Sequence, residues 1–175
     1  MNIVLVGYRG SGKSTVAGLL AAATGMPHAC LDDEIVSRAG SSIPEIVQAL
    51  GWEGFRDLES AVVRDYSERD GWILDAGGGV ILRQENVRLL RGRGLLVWLQ
   101  ASPAVLTERI RDDTQRPALK AGKTFLEEIE EVLEERGPLY RAAAHHAIDT
   151  ADLTPEQVCL QILDAIKSRR SGNPG

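Results

Sequence analysis

The chain has 175 residues, 43% of them hydrophobic, with 20 Lys and Arg against 25 Asp and Glu for a formal net charge of -5. That length suits one well-buried core and is too short for two ordinary domains. The acidic balance argues against a protein that coats nucleic acid, and no apolar run approaches the roughly 20 residues needed to cross a bilayer.

The chain enters a strand pattern at once, without a charged-then-apolar leader, so the mature protein is expected to start at Met1. Ile3 to Val6 is a continuous apolar, β-branched-rich run of the kind that fits a strand covered on both faces. Gly7-Tyr8-Arg9-Gly10-Ser11-Gly12-Lys13-Ser14 follows it directly and fits G-x-x-x-x-G-K-[ST]. From Lys13 the spacing turns helical, with Val16, Leu19, Leu20 and Ala23 on one side, and Gly25 with Pro27 supplies the stop. Strand, glycine-rich turn and helix form the context in which this motif binds phosphate. The backbone N–H groups point at the anion from the positive end of a helix, and glycines keep side chains out of its way. Gly10, Ser11, Gly12, Lys13, Ser14 and Thr15 are therefore the expected ATP-binding run, with Lys13 reaching the β- and γ-phosphates and the Ser14 hydroxyl ligating magnesium. The motif by itself does not choose between a kinase, a GTPase and a motor.

Further short strands are expected near Ala29 to Leu31, Trp72 to Leu74, Leu95 to Leu99, and around Ala147 and Ile148, with helical patterns between them. Ser42 with Glu45 reads as a capping box, and Thr154, Pro155 and Gln157 repeat the arrangement before a helix that buries Val158, Ile162 and Ile166. Strands alternating with helices imply parallel pairing through right-handed crossovers, hence a three-layer α/β domain. Asp112 to Lys123 is charged, lacks an apolar rhythm and contains Pro117 and Gly122, which suits either a mobile lid or an ordinary surface loop. Ser168 to Gly175 reads as a frayed end. Arg83, Arg88, Arg91 and Arg93 read as a solvated helix face. Cys30 and Cys159 are far apart and lack metal or redox spacing, so a reducing cytoplasm is the simplest expectation, and adjacent His145 and His146 would point to opposite faces of a strand rather than to one metal.

Three more clusters carry chemistry: Asp32-Asp33-Glu34 at the second strand end, Gly54-Phe55-Arg56 with Glu59 opening a helix, and Gly77-Gly78-Gly79 after the third strand. In a parallel sheet these ends open onto one crevice with the phosphate loop. A carboxylate there can take a proton from an attacking hydroxyl, and an arginine fork suits a substrate carboxylate. Arg56 with Glu59 could equally be a helix-surface pair, and Arg136 one more charge on a helix from Glu127 to Arg141.

Taken in order, G-S-G-K-S-T, an acidic strand end, R-A-G-S-S-I, G-F-R-D-L-E, G-G-G, R-P and R-G-P-L-Y resemble shikimate kinase from Ile3 to about Ile166. The resemblance implies a P-loop kinase fold of the nucleoside-monophosphate-kinase-like type, with a central parallel five-stranded sheet, helices on both faces and a lid. It implies one domain over residues 1–170, an acceptor region at about 32–62, a lid at about 112–124 and a flexible tail at 171–175. It implies transfer of the γ-phosphoryl group of ATP, with magnesium, to the 3-hydroxyl of shikimate by a cytoplasmic monomer. Asp32, Arg56, Arg136 and Gly77, Gly78 and Gly79 would bind shikimate. Glu59 would support Arg56, Asp32 would also act as base, Arg116 of the lid would meet ATP phosphates, and Arg109 would lie near the adenine.

Members of the family usually carry D-x-D at the second strand end, where this chain has Cys30-Leu31-Asp32. A neutral thiol cannot replace a carboxylate in organising magnesium, so Asp75, at the end of the third strand, is expected to compensate. Asp33 should face elsewhere in an extended segment. The lid carries Arg116-Pro117-Ala118-Leu119 where R-P-L-L is common, and Asp152 stands where an adenine-side basic residue is often found. Two other readings stay open: a kinase for another small polar acceptor such as gluconate, and an ATP-binding protein impaired by the Cys30 change.

Overall fold

The computed structural model describes residues 1–110 and 127–171, and the expected lid and the tail beyond residue 171 lie outside them. Five strands, β1 Asn2–Val6, β2 His28–Cys30, β3 Ile73–Asp75, β4 Gly94–Gln100 and β5 His146–Asp149, pair in parallel in the order β2-β3-β1-β4-β5. Between and after them run α1 Lys13–Thr24, α2 Leu31–Ala39, α3 Ile43–Ser67, α4 Gln84–Arg93, α5 Pro103–Ile110, α6 Ile129–Ala143 and α7 Pro155–Ser171. This is the three-layer α/β architecture expected from the alternation of strand and helix patterns.

The strand periodicity of two explains the layering. Val4 and Val6 of β1 join Leu74, Leu96 and Trp98 beneath α2, α3, α4 and α6, where Leu31, Phe55, Val63, Leu90 and Tyr140 complete one core. Ile3 and Leu5 point the other way and meet Val16 and Leu20 of α1 and Val158 and Ile162 of α7. A third cluster, Tyr8 with Leu106, Ile110, Ile129 and Val132, packs α5 and α6 against the loop after β1. No helix among the described residues is long and apolar enough to cross a membrane.

Local signals work as read at several ends. Gly25 closes α1 in the left-handed conformation, its N–H donating to Ala21 O at 2.9 Å. Glu45 accepts the Ser42 N–H at 2.8 Å, and Thr154 and Gln157 exchange bonds in the same manner at the start of α7.

Three details differ from the sequence reading, and α3 adds a kink. Ala23 is exposed, since the buried stripe of α1 is Val16, Ala17 and Leu20. α3 joins two helices across a kink at Gly51 (φ 70°, ψ 177°), and Gly54 to Arg56 open the second of them, as read. α7 runs through Ser168 to Ser171. The arginines around α4 are anchored as well as solvated: Arg83 pairs with Asp57 at 2.7 Å, and Arg91 donates to the carbonyls of Ala142 and Ala143 at 2.9 and 2.7 Å, closing the end of α6.

His145 also has a structural task. Its N–H donates to Leu96 O at 2.8 Å, and its Nδ1 accepts the Leu96 N–H at 3.0 Å, extending the β4–β5 edge. Burial, then the charges of Arg91 and Arg169, hold its pKa below the ordinary value. The folded state therefore favours neutral imidazole, and the stability this confers is present above about pH 6.5 and lost as pH falls. His145→Ala should lower stability at neutral pH and shrink the loss between about pH 7.5 and 5.5, as read by urea unfolding of both proteins.

Candidate active site

The strand ends at one edge of the sheet converge as parallel topology requires. After β1 the loop passes through Gly7, Gly10 and Gly12, all at positive φ (148°, 78° and 91°), conformations that cost glycine little. Adding a Cβ at Gly10 would bring it within 2.5 Å of Ile110 Cγ2, so the loop is pressed against α5. Lys13 at the start of α1 folds over the loop and donates to Gly7 O and Tyr8 O at 3.0 and 3.1 Å. Arg109 of α5 ties the same loop to the end of β5, donating to Gly10 O at 3.3 Å and to Thr150 Oγ1 and O at 3.0 and 2.9 Å.

A cleft beside this loop is lined by Arg9, Gly10, Gly12, Lys13, Ser14, Thr15, Cys30, Asp32 and Asp75. Ser14 Oγ donates to Asp75 Oδ2 at 2.5 Å. Cys30 and Asp75 are register partners on β2 and β3, so the thiol and the carboxylate end neighbouring strands at the same level. Burial pushes the Cys30 thiol up to about 11, and the Asp75 and Asp32 carboxylates push it the same way. The thiol is therefore neutral near pH 7, and the hard donors at this point are the Ser14 hydroxyl and the carboxylates of Asp75 and Asp32. That set fits a magnesium ion that keeps several waters and completes its shell with phosphate oxygens. Among the described residues no cluster of three or more His, Cys, Asp and Glu could hold a metal by itself.

The adjoining pocket is lined by Tyr8, Arg9, Asp32, Ile43, Trp52, Phe55, Arg56, Glu59, Gly77, Gly78, Gly79 and Arg136. Arg56 and Arg136, 80 residues apart in sequence, thus face one cavity. Arg56 donates to Glu59 Oε1 at 2.8 Å, and its guanidinium lies 5.1 Å from the Phe55 ring centroid and 5.5 Å from that of Trp52. The pair is buried, with Arg56 7% and Glu59 1% exposed, so it is no surface pair. Arg136, 8% exposed on α6, donates to Gly78 O at 3.2 Å, and the Tyr140 hydroxyl donates to the same carbonyl. Burial pushes Glu59 up to about 7 against the pull of the Arg56 guanidinium.

The glycine triplet is needed for space. A Cβ on Gly77 would stand 2.6 Å from Asp32 Oδ1, and one on Gly79 would stand 2.1 Å from Arg56 Nη2. Asp32 does not end a strand as expected: α2 starts at Leu31, so Asp32 sits buried in the first turn of that helix, and Asp33 is turned to solvent by helical rather than strand geometry. Two cavity residues had no role assigned from the sequence: Trp52, which enters after the kink at Gly51, and Arg9, which occupies a motif position that tolerates any residue type. Arg116 lies outside the described residues.

Comparison with known proteins gives one family. The family model for shikimate kinase matches residues 9–167. The chain is 40% identical over 171 residues to a shikimate kinase of Rhodopirellula baltica, covering 95% of this chain and 91% of that one. It is 42% identical over 168 residues to shikimate kinase 2 of an Enterobacter species, covering 94% and 95%. Among solved structures, shikimate kinase from Acinetobacter baumannii in complex with shikimate superposes with a TM-score of 0.90 at 34% identity, covering 96% of this chain and 93% of that one.

The Gly79 contact gives a direct test. Gly79→Ala should push Arg56 off Glu59 and cost about 1–3 kcal/mol in urea unfolding. Gly92→Ala, in the α4 helix with open space around the added carbon, should be neutral or stabilising by up to about 1 kcal/mol.

Proposed function

The chain belongs to the shikimate kinase family, and from that premise and the geometry of the crevice we propose that it transfers the γ-phosphoryl group of ATP to the 3-hydroxyl of shikimate, giving shikimate 3-phosphate and ADP. The observation that carries this reading is that the two buried arginines, Arg56 and Arg136, share one small pocket, and that this pocket meets the phosphate loop at Arg9 and Asp32.

Shikimate's carboxylate is gripped by the two guanidinium groups, each already oriented: Arg56 by Glu59 and the Trp52 and Phe55 rings, Arg136 by Gly78 O. Gly77, Gly78 and Gly79 let the ring approach the backbone. Asp32, at the boundary of the two cavities, orients the 3-hydroxyl and accepts its proton as the new P–O bond forms and the bond to the β-phosphate oxygen breaks. Lys13 swings from the loop carbonyls to the β- and γ-phosphates, and Arg116 meets the same charge from its own segment. Arg109, tied to Gly10 O and Thr150, borders the nucleotide on the side away from the acceptor. Magnesium, when bound, would neutralise phosphate charge. Ser14 and Asp75 are the residues that would hold it, Asp75 taking the place left by Cys30. We further propose that the protein works as a monomer in the cytoplasm, a setting that agrees with two free cysteines.

A coupled assay of ADP release with shikimate, gluconate and nucleoside monophosphates tests the reading, and turnover should require shikimate. Lys13→Ala should lower kcat on the order of 10²-fold or more. Arg136→Ala should mainly raise KM for shikimate, by roughly 10–100-fold. Asp75→Asn should raise the magnesium concentration for half-maximal turnover about tenfold or more, and an unchanged magnesium dependence would remove Asp75 from that role.

A further inference from the structure

Among the described residues only two line both the acceptor pocket and the phosphate cleft, and they are Arg9 and Asp32. Asp32 has a role in the reaction proposed above; nothing in the phosphate-loop motif assigns one to Arg9, whose position tolerates any side chain. We infer that Arg9 is a further catalytic residue, an arginine supplied in cis by the loop that meets the transferring phosphoryl group on the side facing the acceptor. The inference rests on the kinase reading of the crevice.

The backbone on either side of Arg9 is fixed. Tyr8, 3% exposed, is packed among Leu106, Ile110, Ile129 and Val132. Gly10 leaves no room for a Cβ against Ile110, and the Ser11 N–H donates to Tyr8 O at 3.2 Å, closing the turn around Arg9. With its neighbours held against α5 and α6, the Arg9 stem is directed to the crevice side. Its Nη1 is buried there, although the residue as a whole is only half-buried.

Placement decides which anion it meets. Grip on an acceptor carboxylate is already assigned to Arg56 and Arg136, which sit with Gly78 and Gly79 and do not line the phosphate cleft. Arg9 lines that cleft together with Lys13 and Ser14, and so stands where donor and acceptor meet. During transfer negative charge spreads over the three equatorial phosphoryl oxygens, and a cation at the midpoint of the path binds that charge more strongly than it binds either ground state. Asp32 and Arg9 then divide the work at the junction: the carboxylate takes the hydroxyl proton, and the guanidinium meets the moving phosphoryl oxygens. The balance of the reaction is unchanged, since Arg9 neither gains nor loses a proton.

Arg9→Ala and Arg9→Lys would be compared with the wild-type chain in the shikimate assay, and by calorimetric binding of ADP with magnesium, shikimate and aluminium fluoride as a mimic of the transferring group. The kcat of Arg9→Ala should fall on the order of 10²-fold or more, with KM for ATP and shikimate within about threefold. Affinity for the fluoride complex should fall by a similar factor while ADP affinity is kept, and Arg9→Lys should recover part of both. If Arg9→Ala does not fold, as judged by its thermal transition, Arg9→Lys carries the test through the same split between the fluoride complex and ADP. An unchanged kcat, or a raised KM for shikimate with kcat intact, would overturn the assignment. Wild-type turnover in the same assay separates this outcome from failure of the kinase reading itself.

Discussion

A buried guanidinium held beside a buried carboxylate is the constraint around which the crevice is built. Arg56 and Glu59 are almost inaccessible, and taking two charges out of water costs several kcal/mol per ion before their attraction returns any of it. Such a pair is poor value for stability alone. It makes sense as a positioning device: Glu59 fixes one edge of the fork, Trp52 and Phe55 hold its face, and Gly79 gives it room. The Glu59 pKa of about 7 has the same origin, because burial favours the neutral acid while Arg56 favours the anion. A third negative charge in the pocket, such as a substrate carboxylate, would relieve the arginines and not the glutamate.

The rest of the site follows from sheet topology. Parallel strands place the phosphate loop, Asp32 and the glycine triplet at the carboxyl ends of β1, β2 and β3, and β1 lies between β3 and β4 in the sheet. The phosphate-loop cleft and the adjoining pocket are thus side by side, and among the described residues Arg9 and Asp32 line both. Gly78 links the two halves: its carbonyl accepts from Arg136 and Tyr140, while its Cα lies against the Gly7 carbonyl of the loop, where an added Cβ would come within 3.1 Å.

The departure at Cys30 becomes intelligible at the same edge. A thiol pushed up to about 11 contributes no charge near pH 7, so a cation there finds no ligand on β2. The Asp75 carboxylate one strand over stands in register with it and accepts the Ser14 hydroxyl, which is the placement that the proposed magnesium role of Asp75 requires.

Much of this was legible in the chain itself. The apolar run of β1, the glycine-lysine motif and the caps at Gly25, Ser42 and Thr154 are local signals, decided by the few residues that carry them, and they place the strand, the phosphate loop and the helix ends within a residue or two. The acidic, arginine and glycine clusters could be seen, but not all of their geometry: Asp32 sits in a first helical turn rather than at a strand end, and Arg91 closes the end of α6 rather than facing solvent alone. Composition could not distinguish a surface Arg56–Glu59 pair from a buried one, because burial depends on what arrives from 20 and 80 residues away. Nor could it single out Arg9, whose importance comes from standing where two cavities meet. Local chemistry fixes which elements form; only packing brings distant charges to one point in low-dielectric surroundings, and there their interactions become strong enough to direct a reaction.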